Sequence, residues 1–138
     1  MTAQVLVDTA VWIEHLRGRE GTAVAELTHW PAEDADRILV NEIVTTELLR
    51  GVRTDADATQ LQAALDKLVQ ADPLVRDDWL LSARVYRTCR SAGLTIRSPM
   101  DCLLASHAIR LRVAVLAIDR DFEAIASCTS LRLHTNPA

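Results

Sequence analysis

Short apolar runs rich in β-branched residues alternate along this chain with segments of helical spacing. Val5-Leu6-Val7 comes first, Ile38-Leu39-Val40 second, and Val113-Ala114-Val115-Leu116-Ala117-Ile118 last. Runs this short, apolar at successive positions rather than at alternate ones, read as strands buried on both faces. Strands joined through helices favour a mainly parallel sheet, with the helices packed over both of its faces. The expected fold class is therefore α/β, a three-layer α/β/α domain with a mainly parallel central sheet. A length of 138 residues fits one domain, 1–138, with one well-buried core.

The punctuation between the runs fills in the rest. A first strand is expected over Val5–Asp8, then a helix over Thr9–Arg17 with Val11, Trp12 and Leu16 as its apolar positions and Gly18 as its stop. A second helix is expected over Thr22–Trp30, ended by Pro31, and a strand over Arg37–Val40. Helices follow over Ile43–Arg50 and Asp57–Val69, the latter with Leu61, Leu65 and Leu68 at helical spacing, and a short strand over Ala71–Val75. Asp77–Ala92 reads as a long helix stopped by Gly93, and Pro99–Arg110 as another. After the Val113–Ile118 strand come a short helix over Asp121–Ala126 and an edge strand over Leu131–His134.

Acids stand where these elements meet. Asp8 closes the first run, Glu47 lies one helical turn past the second, Asp101 opens a helix, and Asp119 and Asp121 follow the last run. Ligands of open parallel sheets bind in the crevice at the carboxyl ends of the strands. Each acid also has a local explanation. Asp8 and Asp119 stand as helix N-caps, Ser98-Pro99-Met100-Asp101 resembles a capping box, and Glu47 can pair with Arg50. Capping acids need not point inward, however. Glu47 borders the Val44/Leu48 stripe, and Asp101 shares a face with Leu104, Ala105 and Ala108. Carboxylates gathered in one crevice repel each other unless a cation neutralises them. Mg²⁺ and Mn²⁺ favour such oxygen ligands.

Four blocks carry a family resemblance: Val5-Leu6-Val7-Asp8-Thr9, Thr46-Glu47-Leu48-Leu49-Arg50-Gly51, Ser98-Pro99-Met100-Asp101-Cys102-Leu103-Leu104-Ala105 and Ile118-Asp119-Arg120-Asp121-Phe122. In this order and spacing they resemble the motifs of PIN domains, and the length is similar to that of the VapC toxins of type II toxin–antitoxin pairs. The resemblance implies a PIN-like fold and an Mg²⁺- or Mn²⁺-dependent ribonuclease, with Asp8, Glu47, Asp101 and Asp119 as ligands and Asp121 close by. It also implies a cognate antitoxin protein, a homodimer and a toxin–antitoxin hetero-oligomer. Thr9 matches the small hydroxyl residue beside the first acid. Ala117 departs from the family pattern, which often has Thr or Ser two residues before the fourth acid. That removes an outer hydroxyl but no ligand.

Phosphodiester hydrolysis fits this set. A metal-assisted water attacks, and a second ion can stabilise the leaving oxygen. Asp8 and Asp101 are expected as the main direct ligands, with Glu47 and Asp119 completing the shell or orienting water. Asp121 stands either to a second ion or to the positive end of its own helix. No Ser–His or Cys–His pairing offers a competing nucleophile, and His107, turned from the Asp101 face, reads as a surface or partly buried histidine. Arg50, Arg53, Arg97 and Arg120 adjoin the motifs and can form a basic rim for phosphates, or simply face solvent. Aromatics make up only 4% of the chain, too few for an extended stacking platform, so recognition of an RNA substrate is expected to rest on its folded shape and backbone. Trp12, Trp30 and Trp79 read as core or helix-packing residues, with Trp12 or Trp30 as the alternative anchor of a partner helix.

Other classes fit less well. A net charge of −4 does not advertise nucleic-acid binding, although a local basic rim is compatible with it. A receiver domain would need a late Lys near the acids, but the lone Lys67 sits mid-helix. A haloacid-dehalogenase-type phosphatase would need an acid where Ala10 stands. A catalytically inactive PIN-like module that binds only RNA or protein is the remaining alternative, and the intact acids speak against it. No apolar run approaches membrane-spanning length, the start Met1-Thr2-Ala3-Gln4 lacks a basic leader, and Cys89, Cys102 and Cys128 show no paired ligand spacing. A cytoplasmic protein with reduced thiols and no membrane association is expected.

Overall fold

A computed structural model describes residues 3–21 and 36–134. Four strands form its sheet: β1 (Val5–Val7), β2 (Ile38–Val40), β3 (Val69–Gln70) and β4 (Ala114–Leu116). All pairings are parallel and the order is β3-β2-β1-β4. Val5 pairs with both Ile38 and Ala114, so β1 is central. Its three residues are buried, as two-sided coverage requires. The chain builds outward from β1 through β2 to β3, then crosses back to place β4 on the other flank. The order therefore reverses between β1 and β4, and that switch point opens a crevice beyond the strand ends.

Six helices lie among the described residues: α1 (Thr9–Leu16), α2 (Glu42–Leu49), α3 (Asp55–Asp66), α4 (Arg76–Ser91), α5 (Pro99–Leu111) and α6 (Arg120–Cys128). α1 packs on α2 and α2 on α3, while α4, α5 and α6 pack on one another. These two sets are the outer layers of the α/β/α sandwich. Local chemistry starts most of the helices. Asn41 Oδ1 accepts from Val44 N at 3.0 Å, Thr54 Oγ1 from Asp57 N at 3.1 Å, and Ser98 precedes Pro99 at the first helical position of α5. Gly18 and Gly93 end α1 and α4 with φ of 69° and 81°, a left-handed conformation that glycine adopts without steric cost.

The expected elements recur with three differences, besides the helix over 22–30 and its Trp30, which lie outside the described residues. First, α3 ends at Asp66, and Val69 belongs to β3, paired with Leu39. The leucine spacing runs on to Leu68, but parallel pairing against β2 claims the β-branched residue beyond it. Second, Ala71–Val75 is not a strand. Ala71 N still donates to Val40 O at 2.9 Å, but Pro73 has no N–H to continue a ladder. Third, Leu131–His134 makes a single parallel bridge, Leu133 to Val115.

α5 is the most enclosed helix, with Cys102 through Ala108 all buried. His107 is 0% exposed, against the expectation of a surface or partly buried position. A helix covered on every side has no solvent face for a polar residue to occupy. Its needs are met internally. Nε2 lies 2.7 Å from the Asp72 carbonyl, which can only accept, so Nε2 carries the proton. Nδ1 then accepts from Asn41 Nδ2 at 3.1 Å. Arg110 completes the tie by donating to both Asp78 oxygens and to the Pro73 carbonyl. The end of β2, the 71–75 segment and α5 are thereby fastened together.

Candidate metal centre

Parallel strands put their carboxyl ends on one edge, and the acids gather there. Asp8 follows β1 directly, and its N–H extends the ladder to Leu116 O at 2.9 Å. It occupies the N-cap position of α1 yet makes no side-chain capping bond, and it is only 5% exposed. Capping therefore does not consume its carboxylate. Burial pushes its pKa up to about 6, with the Thr9 and Ala10 amides drawing it down and Glu47 and Asp119 raising it.

Glu47 reaches the same place from α2. Its Oε1 accepts from Thr9 Oγ1 at 2.7 Å, and Oε2 lies 3.8 Å from Arg50 Nη2. Asp101 stands in the first turn of α5, where its N–H donates to Ser98 Oγ at 3.4 Å. The capping motif sets the backbone, and the carboxylate is left for the cluster. Burial, and then the charges of Asp8, Asp119, Glu47 and Asp121, push the Asp101 pKa up to about 7. Asp101 thus sits in the field of all four other acids.

Asp119 and Asp121 complete the cluster from the start of α6. Asp119 Oδ1 caps the helix by accepting from Asp121 N at 2.9 Å. Asp121 accepts from Arg97 N at 3.2 Å, and Arg97 Nε lies 3.9 Å away. For these two residues the local explanation and the converging one both hold. One carboxylate oxygen from each of Asp101, Asp119 and Asp121 lies within 4.8 Å of the others, near the roughly 4 Å between opposite oxygens around a small octahedral cation. An all-oxygen donor set of this kind could hold Mg²⁺ or Mn²⁺.

Of the expected rim, Arg50 and Arg97 contact the cluster from exposed positions, whereas Arg53 and Arg120 are exposed and pair with none of its acids. Trp12 is buried, but Trp79 is 52% exposed beside the exposed Leu80 and Val75, which rules out the core half of the core-or-helix-packing expectation. Trp79 lies on the solvent side of the first turns of α4. Sequence spacing alone did not reveal the Thr9–Glu47 hydrogen bond, which joins two motifs far apart in the chain.

The chain is similar to known proteins along its length. The PIN domain family model matches residues 5–127. Ribonuclease VapC11 of Mycobacterium tuberculosis is 34% identical over 128 residues, covering 93% of this chain and 96% of the relative. Among solved structures, VapBC2 from Rickettsia felis bound to a promoter DNA fragment superposes with a TM-score of 0.71 at 18% identity, covering 94% of this chain and 96% of that one. A toxin–antitoxin complex from Klebsiella pneumoniae gives 0.65 at 16% identity, covering 86% and 90%. The family match, the acids at the switch point and the parallel sheet agree, and the chain belongs to the PIN domain family.

Proposed function

We propose that this chain is a metal-dependent endoribonuclease that acts as the toxin of a toxin–antitoxin pair and hydrolyses phosphodiester bonds in structured RNA. The observation that carries the reading is the convergence of four carboxylates, Asp8, Glu47, Asp119 and Asp121, on a fifth, Asp101, whose pKa burial and their charges raise to about 7. Asp8 and Asp101 would be the main direct ligands of Mg²⁺ or Mn²⁺, Glu47 and Asp119 would complete the shell or orient water, and Asp121, whose oxygen lies within 4.8 Å of those of Asp101 and Asp119, would bind a second ion or favour the positive end of its own helix. A divalent cation held there supplies charge neutralisation at phosphorus and activation of water. Thr9 fixes the Glu47 carboxylate, and Arg97 fixes Asp121 while offering its exposed guanidinium to phosphate. Similarity to a VapC ribonuclease supports the reaction class. The inactive-module alternative is not favoured, because a scaffold alone has no need of buried, mutually repelling acids.

A cognate antitoxin is the expected protein partner, in keeping with the toxin–antitoxin complex that shares this fold. It would present a Lys or Arg to the acids, in competition with metal. Leu16, 56% exposed at the end of α1, offers it an apolar contact, whereas Trp12 is too buried to serve. For the homodimer, Val75, Trp79 and Leu80 provide the exposed apolar surface on α4. No helix among the described residues is long and apolar enough to cross a membrane, and a cytoplasmic site of action is part of the proposal. Induced expression of the wild-type chain should arrest growth, expression of Asp8→Ala should not, and co-expression of the neighbouring gene should restore growth. Harmless wild-type expression at good soluble yield would overturn the toxin reading.

A further inference from the structure

Two of the three cysteines meet between helices outside the carboxylate cluster. Cys89 Sγ on α4 and Cys128 Sγ at the last residue of α6 lie 3.1 Å apart. Cys89 is fully buried, whereas Cys128 is half-buried. The Cys128 thiol is also held within its own helix, against the Ala124 and Ile125 carbonyls at 3.5 and 3.7 Å. Cys102, on α5, is buried and has no sulfur partner among the described residues. Small apolar packing accounts for a buried cysteine such as Cys102. It does not require two sulfurs, 39 residues apart in sequence, to be each other's neighbours across a helix interface.

We propose that Cys89 and Cys128 are an oxidisable dithiol, which a hydroperoxide converts to a disulfide that fastens the end of α6 to α4. In the first step Cys128, the less buried of the two, attacks the peroxide O–O bond as thiolate. That bond breaks, Cys128 becomes a sulfenic acid, and the alkoxide or hydroxide that leaves takes up a proton. In the second step the Cys89 sulfur attacks the Cys128 sulfur, the S–O bond breaks, and the departing hydroxide leaves as water with the Cys89 proton. Two thiols are oxidised by two electrons, and the hydroperoxide is reduced to an alcohol (or water) and water. Burial holds the Cys89 thiol pKa at about 12, which agrees with Cys128 as the first attacker and Cys89 as the resolving group.

The position of this cross-link gives it a consequence. The loop it closes contains α5, β4 and α6, and therefore Asp101, Asp119 and Asp121. A disulfide restricts that whole segment in the unfolded chain and pins α6, whose first turn carries two of the cluster acids. The proposal concerns the thiols and the fold, and it stands whether or not the chain cleaves RNA.

The experiment treats the full reduced chain with a slight excess of hydrogen peroxide. Free thiols are then counted under denaturing conditions, and the intact mass and cross-linked peptides are measured. Of the three cysteines, one should remain free, the mass should fall by two hydrogens, and a Cys89–Cys128 peptide should appear. The melting temperature should rise by about 5 °C or more and return with dithiothreitol. Cys102→Ser should behave as wild type, while Cys128→Ser, at a half-buried position expected to fold, should lose both the mass change and the melting shift. Sulfinic acid as the main product, a cross-link through Cys102, intermolecular dimers only, or an unchanged mass would each overturn the proposal.

Discussion

Thr9 Oγ1 donates to Glu47 Oε1 at 2.7 Å, joining residues 38 positions apart. The bond ties α1 to α2 beside the carboxylates and leaves one Glu47 oxygen facing Arg50. An outer hydroxyl that orients a ligand commonly tunes metal affinity. Thr9→Val keeps the volume and removes the donor. It should weaken Mn²⁺ binding by roughly 10-fold or more and cost about 1 kcal/mol of stability, and Thr9→Ser should recover most of the affinity. Calorimetric titration with Mn²⁺ reads this directly, and an unchanged affinity in Thr9→Val would remove the positioning role.

Metal-free stability should fall as pH rises. Burial and neighbouring charge raise Asp8 to about 6 and Asp101 to about 7, above the unfolded aspartate value of about 3.9. Between about pH 4 and 7 the native state therefore binds more protons than the unfolded state, so unfolding becomes easier with increasing pH. With EDTA present, the melting temperature should be lower at pH 7.5 than at pH 5, and Asp8→Asn/Asp101→Asn should flatten that slope. Asp78, whose carboxyl Arg110 and the Val75 amide hold below its ordinary value, acts in the opposite sense. Its contribution is lost only as pH falls below about 4 and does not mask the effect. A melting temperature that climbs from pH 5 to 7.5 without metal would contradict the cluster electrostatics.

A divalent cation should reverse that penalty. Binding only to the native state adds about 1.4 kcal/mol at ten times Kd, a rise of about 5 °C for a domain of this size. Differential scanning fluorimetry with millimolar Mn²⁺ at pH 7.5 should show it in wild type and far less in Asp8→Asn/Asp101→Asn. Equal shifts in the two proteins would mean that the ion binds elsewhere.

Asp78 and Arg110 test the packing behind the site. Asp78 is 0% exposed, and Arg110 Nε reaches its Oδ1 at 2.6 Å. Arg110→Ala leaves a buried carboxylate uncompensated and should cost about 3 kcal/mol, while Asp78→Asn/Arg110→Met should cost less. Chemical denaturation of the variants measures both, and a cost below about 0.5 kcal/mol in Arg110→Ala would place the pair with weak surface bridges.

What the sequence revealed follows from which interactions are local. The backbone positions of Asp8, Asp101 and Asp119 were legible because a strand end or a helix start fixes them within a few residues. The parallel sheet was legible from buried runs such as Val5-Leu6-Val7, whose periodicity is intrinsic. Val69 was assigned to the wrong element because its strand exists only by pairing with Leu39, about thirty residues away. His107 was misplaced because its partners, Asn41 and the Asp72 carbonyl, come from two other segments. Core was one of two expectations for Trp79 because apolarity predicts burial on average, and spacing does not say which turn of a long helix overhangs the core.

Cleavage of a structured RNA tests the central claim most directly. Wild type should cut it with Mn²⁺ or Mg²⁺ at neutral pH and stop in EDTA. Asp8→Asn and Asp101→Asn, confirmed as folded by circular dichroism, should each lose at least about 100-fold in rate, because each removes a charged ligand at nearly constant volume. Cleavage that persists in EDTA, or wild-type rates from both folded variants, would contradict the account.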